Sequence, residues 1–328
     1  MKLIVCLGLL FSGLVNAQES YDLIDFSDDF SGKIIVDDNQ ENSDLETNCT
    51  LNIYQKKNGK LIFSKPAFYS EYDFEDSKVR SNIKEIPYGE QSILIYEDFN
   101  FDGKEDIALR TGNYSCYGGP SFEIYLADKN GFTYNESFTE LGSNYCGMFT
   151  VDDEKKQLQT MTKSGCCWHQ FSTYVVENNQ VVPIEIIEES YSGIFAEYSV
   201  QKRVNGKMVT SHYQEFAQEF AEDNKPEFTM IFENGKKMHL MSIYGDEHLG
   251  YIFTNADNVV ELFIDADFTF NRADQTVSFK NENTVYRITP KGITIKDGSK
   301  TYHLNKIKQT AGSFNNLKWN TFSNVQMK

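Results

Sequence analysis

Asp98-Phe99-Asn100-Phe101-Asp102-Gly103-Lys104-Glu105-Asp106 sets oxygen-bearing side chains at every second position and then turns on a glycine. Calcium takes about six to eight oxygen ligands, readily supplied by a short loop with glycine at its sharpest turn. Asp98, Asn100 and Asp102 supply three side-chain oxygens, Lys104 can offer its backbone carbonyl, and Asp106 closes the set directly or through water. The first six positions match the calcium loop that joins two helices. The twelfth does not, because Leu109 stands where that loop carries a bidentate Glu. The flanks differ too: Ser92 to Tyr96 and Ile107 to Arg110 read as strands. The stretch is therefore expected to be a strand–loop–strand calcium site; the plainer alternative is an acidic turn between two strands.

The strand pattern extends in both directions. Phe122, Ile124 and Leu126 share a face opposite Glu123 and Tyr125, and Phe171 to Val176 and Val181 to Ile187 continue the series. Glu177-Asn178-Asn179-Gln180 and Asn205-Gly206 mark turns between sequential antiparallel strands. Tyr213, Phe216, Ala217 and Phe220 follow helical spacing and predict one helix, ending near Asp223-Asn224-Lys225-Pro226. A second β series begins at Phe228 and runs to Ile295, with Asn234-Gly235 and Asp297-Gly298 as hairpin turns. Three segments are expected: a leader over 1–17, a calcium-binding β domain over 18–224, and a smaller β-rich domain over 225–328 of unassigned role.

The leader reading rests on Met1-Lys2, an apolar run from Leu3 to Val15, and small residues at Val15-Asn16-Ala17. This is the pattern of a cleaved secretory signal, and the run is too short for a membrane span. No transmembrane segment is expected in the mature chain, and the protein is expected to be exported, to the periplasm or beyond. Export changes the reading of cysteine, because thiols outside the cytosol tend to pair. Cys49 lies on a strand face with Leu51 and Ile53 and reads as a buried small hydrophobe. Cys116, Cys146, Cys166 and Cys167 are the disulfide candidates and allow three pairings. Vicinal Cys166–Cys167 is the least favoured of these, because adjacent residues strain a disulfide. A zinc site at Cys166, Cys167 and His169 is the rival reading, but it lacks C-x-x-C spacing.

Charge narrows the partners. The chain carries 48 acidic against 31 basic residues, a net −17. It is not built as a nucleic-acid binder, which needs Lys and Arg against phosphate. An acidic surface steers toward a basic partner, or else simply keeps an exported protein in solution. At 40% hydrophobic residues the chain has the means to bury a core and is not a disordered sequence.

Three stretches together carry a resemblance: Tyr96 to Gly103; Gly112-Asn113-Tyr114-Ser115 with Tyr117-Gly118-Gly119-Pro120-Ser121-Phe122; and Lys163-Ser164-Gly165-Cys166-Cys167-Trp168-His169. They resemble a family of bacterial periplasmic immunity proteins. Its founding type is a calcium-binding, propeller-like inhibitor of a lysozyme-like effector delivered by a type IV secretion system. The resemblance covers roughly residues 45 to 190, and the calcium loop, similar also to the blade loops of integrin α-type propellers, is its most specific part. It implies an all-β fold of propeller-like antiparallel β-meander blades. It also implies bound Ca²⁺, no catalytic residues of the protein's own, and a secreted peptidoglycan hydrolase as partner.

The residues themselves fit a binding role. No Gly-x-Ser-x-Gly elbow, His-Glu-x-x-His or phosphate-binding glycine loop occurs in the sequence. The protein is therefore expected not to be an enzyme. Gly112, Gly118 and Gly119 permit tight or left-handed turns around Tyr114 and Tyr117, which are expected to be displayed. Tyrosine is a favoured interface anchor, and in a glycosidase cleft it can fill a sugar subsite. The bland reading of this segment is a packed inter-strand loop fixed by Cys116. The alternative function is a calcium-stabilised cell-envelope binding or adhesion module that recognises a glycan or a surface protein.

Overall fold

The computed structural model describes residues 19–24, 26–36, 47–69, 74–75, 78–86, 89–129, 131–217, 226–245 and 247–328. The leader at 1–17 and the domain boundary at 224 both lie outside the described residues. Among the described residues, strands dominate and no helix is long and apolar enough to cross a membrane. The all-β, meander-built, propeller-like class expected from the sequence is the class observed.

The chain forms two compact units. Of the described residues, one holds those up to 162 together with 171–184; the other holds 163–170 and those from 185 to 328. In the first unit, a six-stranded sheet runs in the order Leu61–Ala67, Cys49–Gln55, Phe30–Val36, Ser20–Ile24, Lys78–Arg80, Phe74–Glu75. A four-stranded sheet follows, in the order Gly131–Tyr134, Gly119–Asp128, Asp106–Ser115, Leu94–Glu97. Alternation places Ile107, Leu109 and Tyr125 in one core with Ile34, Leu51 and Ile93. Ala108, Phe122, Ile124 and Leu126 enter a second core with Phe99, Phe138 and Phe149. The four-stranded sheet is thus buried on both faces, which explains why its strands read as nearly continuous apolar runs.

A helix at Glu136–Ser143 packs Phe138 and Leu141 into that second core. It was not legible as a helix in the β-rich pattern. Its start signal is Asn135, whose side chain accepts the Phe138 N–H at 3.1 Å as an N-cap.

A six-stranded meander runs Thr150–Asp152, Gln157–Ser164, Trp168–Glu177, Gln180–Ser192, Phe195–Val204, Lys207–Phe216. Tyr213 and Phe216, expected to open a helix, instead end its last strand, while Phe220 and most of the expected helix end lie outside the described residues. Asn205 (φ 50) and Gly206 (φ 78) form the left-handed pair of a two-residue hairpin turn. That turn locks ten cross-strand pairs from Val204↔Lys207 to Phe195↔Phe216. Register set by the turn overrides a helical spacing that only a few apolar residues carry.

In the second unit, a ten-stranded sheet starts at Val260–Ile264 and ends at Val325–Met327. Its core gathers Phe228, Met230, Tyr251, Phe268, Phe279 and Trp319. Asn324 fastens it from within. Its Oδ1 accepts the Leu249 N–H at 2.8 Å, and its Nδ2 faces the carbonyls of Leu249, Asp265 and Ala266 at 2.9, 3.0 and 3.2 Å.

Candidate functional site

Glu97 pairs with Asp106 across an antiparallel ladder, so the acidic stretch is a hairpin loop between strands Leu94–Glu97 and Asp106–Ser115. Its aromatics are anchors. Phe99 is fully buried, with its ring centroid 5.3 Å from that of Phe149. Phe101 takes a left-handed φ of 64, and the Lys156 ammonium lies 5.1 Å from its ring. With the aromatics committed to packing, the oxygens between them fold over their own loop. Asp98 Oδ1 accepts the Asp102 N–H at 3.1 Å, and its Oδ2 accepts the Gly103 N–H at 2.8 Å. Asn100 Oδ1 also accepts the Asp102 N–H, at 3.1 Å. Asp102 Oδ1 accepts the Lys104 N–H at 3.0 Å, and its Oδ2 meets Lys104 Nζ at 3.1 Å. Gly103 sits at φ +85, where a side chain would be strained although its surroundings are open.

Asn179 orients this loop. Asn100 Nδ2 donates to Asn179 Oδ1 at 3.1 Å, which fixes which end of the Asn100 amide faces the other loop oxygens. Asn135 Nδ2 donates to the Asn179 carbonyl at 3.0 Å, so one residue braces both the loop and the helix start. Sequence reading placed Asn178-Asn179 in a turn without assigning it this task. The signal was the Asn-Asn pair itself, whose members take φ 53 and 57.

Asp106 occupies a different position from the other acids. It is completely buried: its Oδ2 accepts the Phe99 and Asn100 N–H groups at 2.9 and 3.3 Å, and its Oδ1 accepts the Ala127 N–H at 2.7 Å. Burial pushes its carboxyl up to about 7 despite these donors, with Asp98 adding repulsion. Among the described residues, no three His, Cys, Asp or Glu side chains stand together as a metal cluster. The loop offers two carboxylates that are not buried, Asp98 and Asp102, with the Asn100 amide oxygen sharing the Asp102 N–H with Asp98. An oxygen-only set of this kind suits a hard cation and not zinc.

The strand Asp106–Ser115 leads from this loop to the tyrosine turn. Cys116–Gly118 is one tight turn in which Tyr117 takes a left-handed backbone, φ 56 and ψ 29. Such a conformation is uncommon for a bulky residue. Gly118 follows at φ +74 in open surroundings. Gly119 is needed for closeness, because a Cβ there would fall 2.7 Å from Ser115 Oγ. Tyr117 and Tyr114 are 67% and 56% exposed, as the sequence reading required of displayed residues. Gly112 serves Tyr114 directly: a Cβ there would fall 2.1 Å from Tyr114 Cε2.

Cys116 is bridged to Cys146, with Cα atoms 4.8 Å apart. Cys146 is itself buried and tied through its N–H to the Met161 carbonyl at 2.8 Å. The tyrosine turn is therefore stapled to the core of its unit. The second bridge is the vicinal Cys166–Cys167, which corrects the expectation that this pairing is least favoured. Gly165 at φ +64 lets the chain make the tight turn that adjacent bridged residues need. Both sulfurs are consumed there, so neither is a thiolate for zinc, and His169 Nδ1 faces Glu189 at 3.1 Å. Cys49 is buried and unbridged, with its Sγ 3.4 Å from the Ala67 carbonyl.

No family model matches the chain, and no curated protein matches it. Among solved structures it is similar to a Xanthomonas type IV secretion system related protein, at 21% identity and TM-score 0.47, over 61% of this chain and 96% of that one. It is also similar to a putative 6-phosphogluconolactonase from Bacteroides uniformis, at 10% identity and TM-score 0.20, over 86% of this chain and 83% of the other. A third similarity is to TolB from Acinetobacter baumannii, at 13% identity and TM-score 0.19, over 80% of this chain and 61% of the other.

Proposed function

We propose that the protein is an exported, non-catalytic inhibitor of a peptidoglycan-cleaving enzyme, working in the periplasm. In this reading the Tyr117 turn enters the enzyme's cleft and Ca²⁺ in the Asp98–Asp106 loop is structural. The observation that carries the reading is Tyr117 itself. A large ring stands 67% exposed on a left-handed backbone, on a turn bridged to a buried cysteine. Surface exposure at that backbone cost is uneconomical for packing and suits recognition. A stapled turn loses little entropy on binding. Net charge of −17 favours a basic partner, and the sequence resemblance names the class of that partner as a lysozyme-like hydrolase.

Asp98, Asn100, Asp102 and the Lys104 carbonyl would hold the ion, with Asp106 behind them. A bound cation would offset the repulsion between Asp98 and Asp106 and fix the loop at one end of the strand Asp106–Ser115. The test is a turbidimetric peptidoglycan-lysis assay with a panel of lysozyme-like hydrolases, run with calcium and with EDTA. Stoichiometric inhibition of at least one hydrolase, weakened by EDTA, is expected. No inhibition of any of them would overturn the reading.

A further inference from the structure

We infer that the second unit carries a binding site for a neutral glycan, separate from the tyrosine turn and independent of the function proposed above. A cavity of about 410 Å³ opens on the meander sheet, within the range of ~300–1,000 Å³ usual for small-ligand sites. Its lining includes Trp168, Glu188, Ser190, Glu197, His212 and Gln214.

The register shows why these residues converge. Ser190 pairs with Glu197 and Glu197 with Gln214, forming one cross-strand row. Glu188 pairs with Ser199 and Ser199 with His212, forming the next. The rows are two residues apart along each strand, so their side chains share one face. Gln170, two residues after Trp168 on the neighbouring strand, donates through Nε2 to Glu188 Oε1 at 3.1 Å. Trp168 therefore stands on that same face, with the strands Gln180–Ser192 and Phe195–Val204 between it and Gln214. The vicinal Cys166–Cys167 turn sets its position, with the Cys167 carbonyl accepting the Tyr191 N–H at 2.9 Å.

The chemistry of this face selects its ligand. One indole ring offers an apolar platform for the C–H face of a pyranose. Around it, serine, histidine and glutamine can each donate and accept, and glutamates accept, which is what an array of hydroxyls needs. A compact cation would need acceptors alone. Among the described residues no Lys or Arg lines the cavity, and its glutamates repel carboxylate or phosphate. The ligand is therefore a neutral saccharide, either an N-acetylglucosamine oligomer or a plain glucan.

The chain has two tryptophans, and Trp319 is buried in the ten-stranded core, so a change in emission on adding ligand reports on Trp168. The full chain is titrated with tetra-N-acetylchitotetraose, cellotetraose and maltotetraose, and with polylysine and sialyllactose as charged probes. A saturable emission change with one or more of the neutral tetrasaccharides is expected, and which one responds identifies the source. Trp168→Ala and Gln214→Ala, read by calorimetry, should each weaken binding about tenfold or more at unchanged melting temperature. Tyr117→Ala should leave saccharide binding intact, which separates this site from the inhibitor reading. Binding of none of the neutral probes, preference for polylysine or sialyllactose, or full binding by both cavity variants would each overturn the inference.

Discussion

Asp106 Oδ1 accepts the Ala127 N–H at 2.7 Å, which ties the acidic loop to the strand Gly119–Asp128 whose other end begins at the tyrosine turn. Its second oxygen holds the backbone of Phe99 and Asn100. The loop and the turn are thus two ends of one braced hairpin. Asp106→Ala would leave these three N–H groups without their acceptor in a buried setting. A loss of about 3 kcal/mol or more is expected, since each unsatisfied buried donor costs roughly 1–3 kcal/mol. Urea unfolding in EDTA measures it; a loss under about 1 kcal/mol would mean that the brace lies elsewhere.

Calcium is expected to act through the carboxylates that are not buried, Asp98 and Asp102. At an ion concentration about 100 times its dissociation constant, binding to the folded state alone adds about 2.7 kcal/mol. Asp102→Ala should abolish that gain. In EDTA the same variant should cost only about 1 kcal/mol, because Asp102 is partly exposed and its own bonds are short-range. Melting curves with and without calcium check both statements.

Gly112→Ala tests the seating of Tyr114. The new Cβ would fall 2.1 Å from Tyr114 Cε2, so the ring has to leave its place. Tyr114 is exposed, and its displacement should cost little stability. Tyr114 is the second displayed ring beside the Tyr117 turn, so a modest loss of inhibition, smaller than that of Tyr117→Ala, is expected in the lysis assay.

His239 predicts a pH dependence in the second unit. It is buried beside the Phe216 ring, with Nδ1 2.9 Å from Thr229 Oγ1, and burial pushes its imidazole down from 6.5 to about 4, with Lys237 adding repulsion. A depressed folded pKa makes the contribution complete above pH 6.5. As pH falls toward 4 the unfolded chain takes up the proton first, so stability is lost across that window. The full effect is about 3 kcal/mol by the conversion of ~1.4 kcal/mol per pKa unit. His239→Gln should remove this part of the acid slope, seen as the difference between the two proteins' unfolding curves from pH 7 to 4.

Much of the first unit was legible because its signals are local. The alternation around Ile107 and Ile124, the Asn205-Gly206 turn and the glycine of the acidic loop each act within a few residues. What escaped depends on distant partners. Asp106 read as a loop oxygen, and only the arrival of Ala127 from the neighbouring strand shows it as a buried brace. The pairing of Cys116 with Cys146 was one of three, and separation along the chain does not decide among them. Nothing local in the sequence marks the rows of Glu188 and Glu197, because the cavity exists only once three further strands are aligned beside that of Trp168.

The measurement closest to the central claim is the inhibition constant of Tyr117→Ala against a hydrolase that the wild-type protein inhibits, taken with its melting temperature. Removal of a central anchor costs ~2 kcal/mol or more, about thirtyfold in affinity. The account predicts at least that weakening with melting unchanged, since Tyr117 is 67% exposed. Full inhibition by both Tyr117→Ala and Tyr114→Ala would contradict it, because a turn that displays two dispensable rings is not the part that enters the cleft.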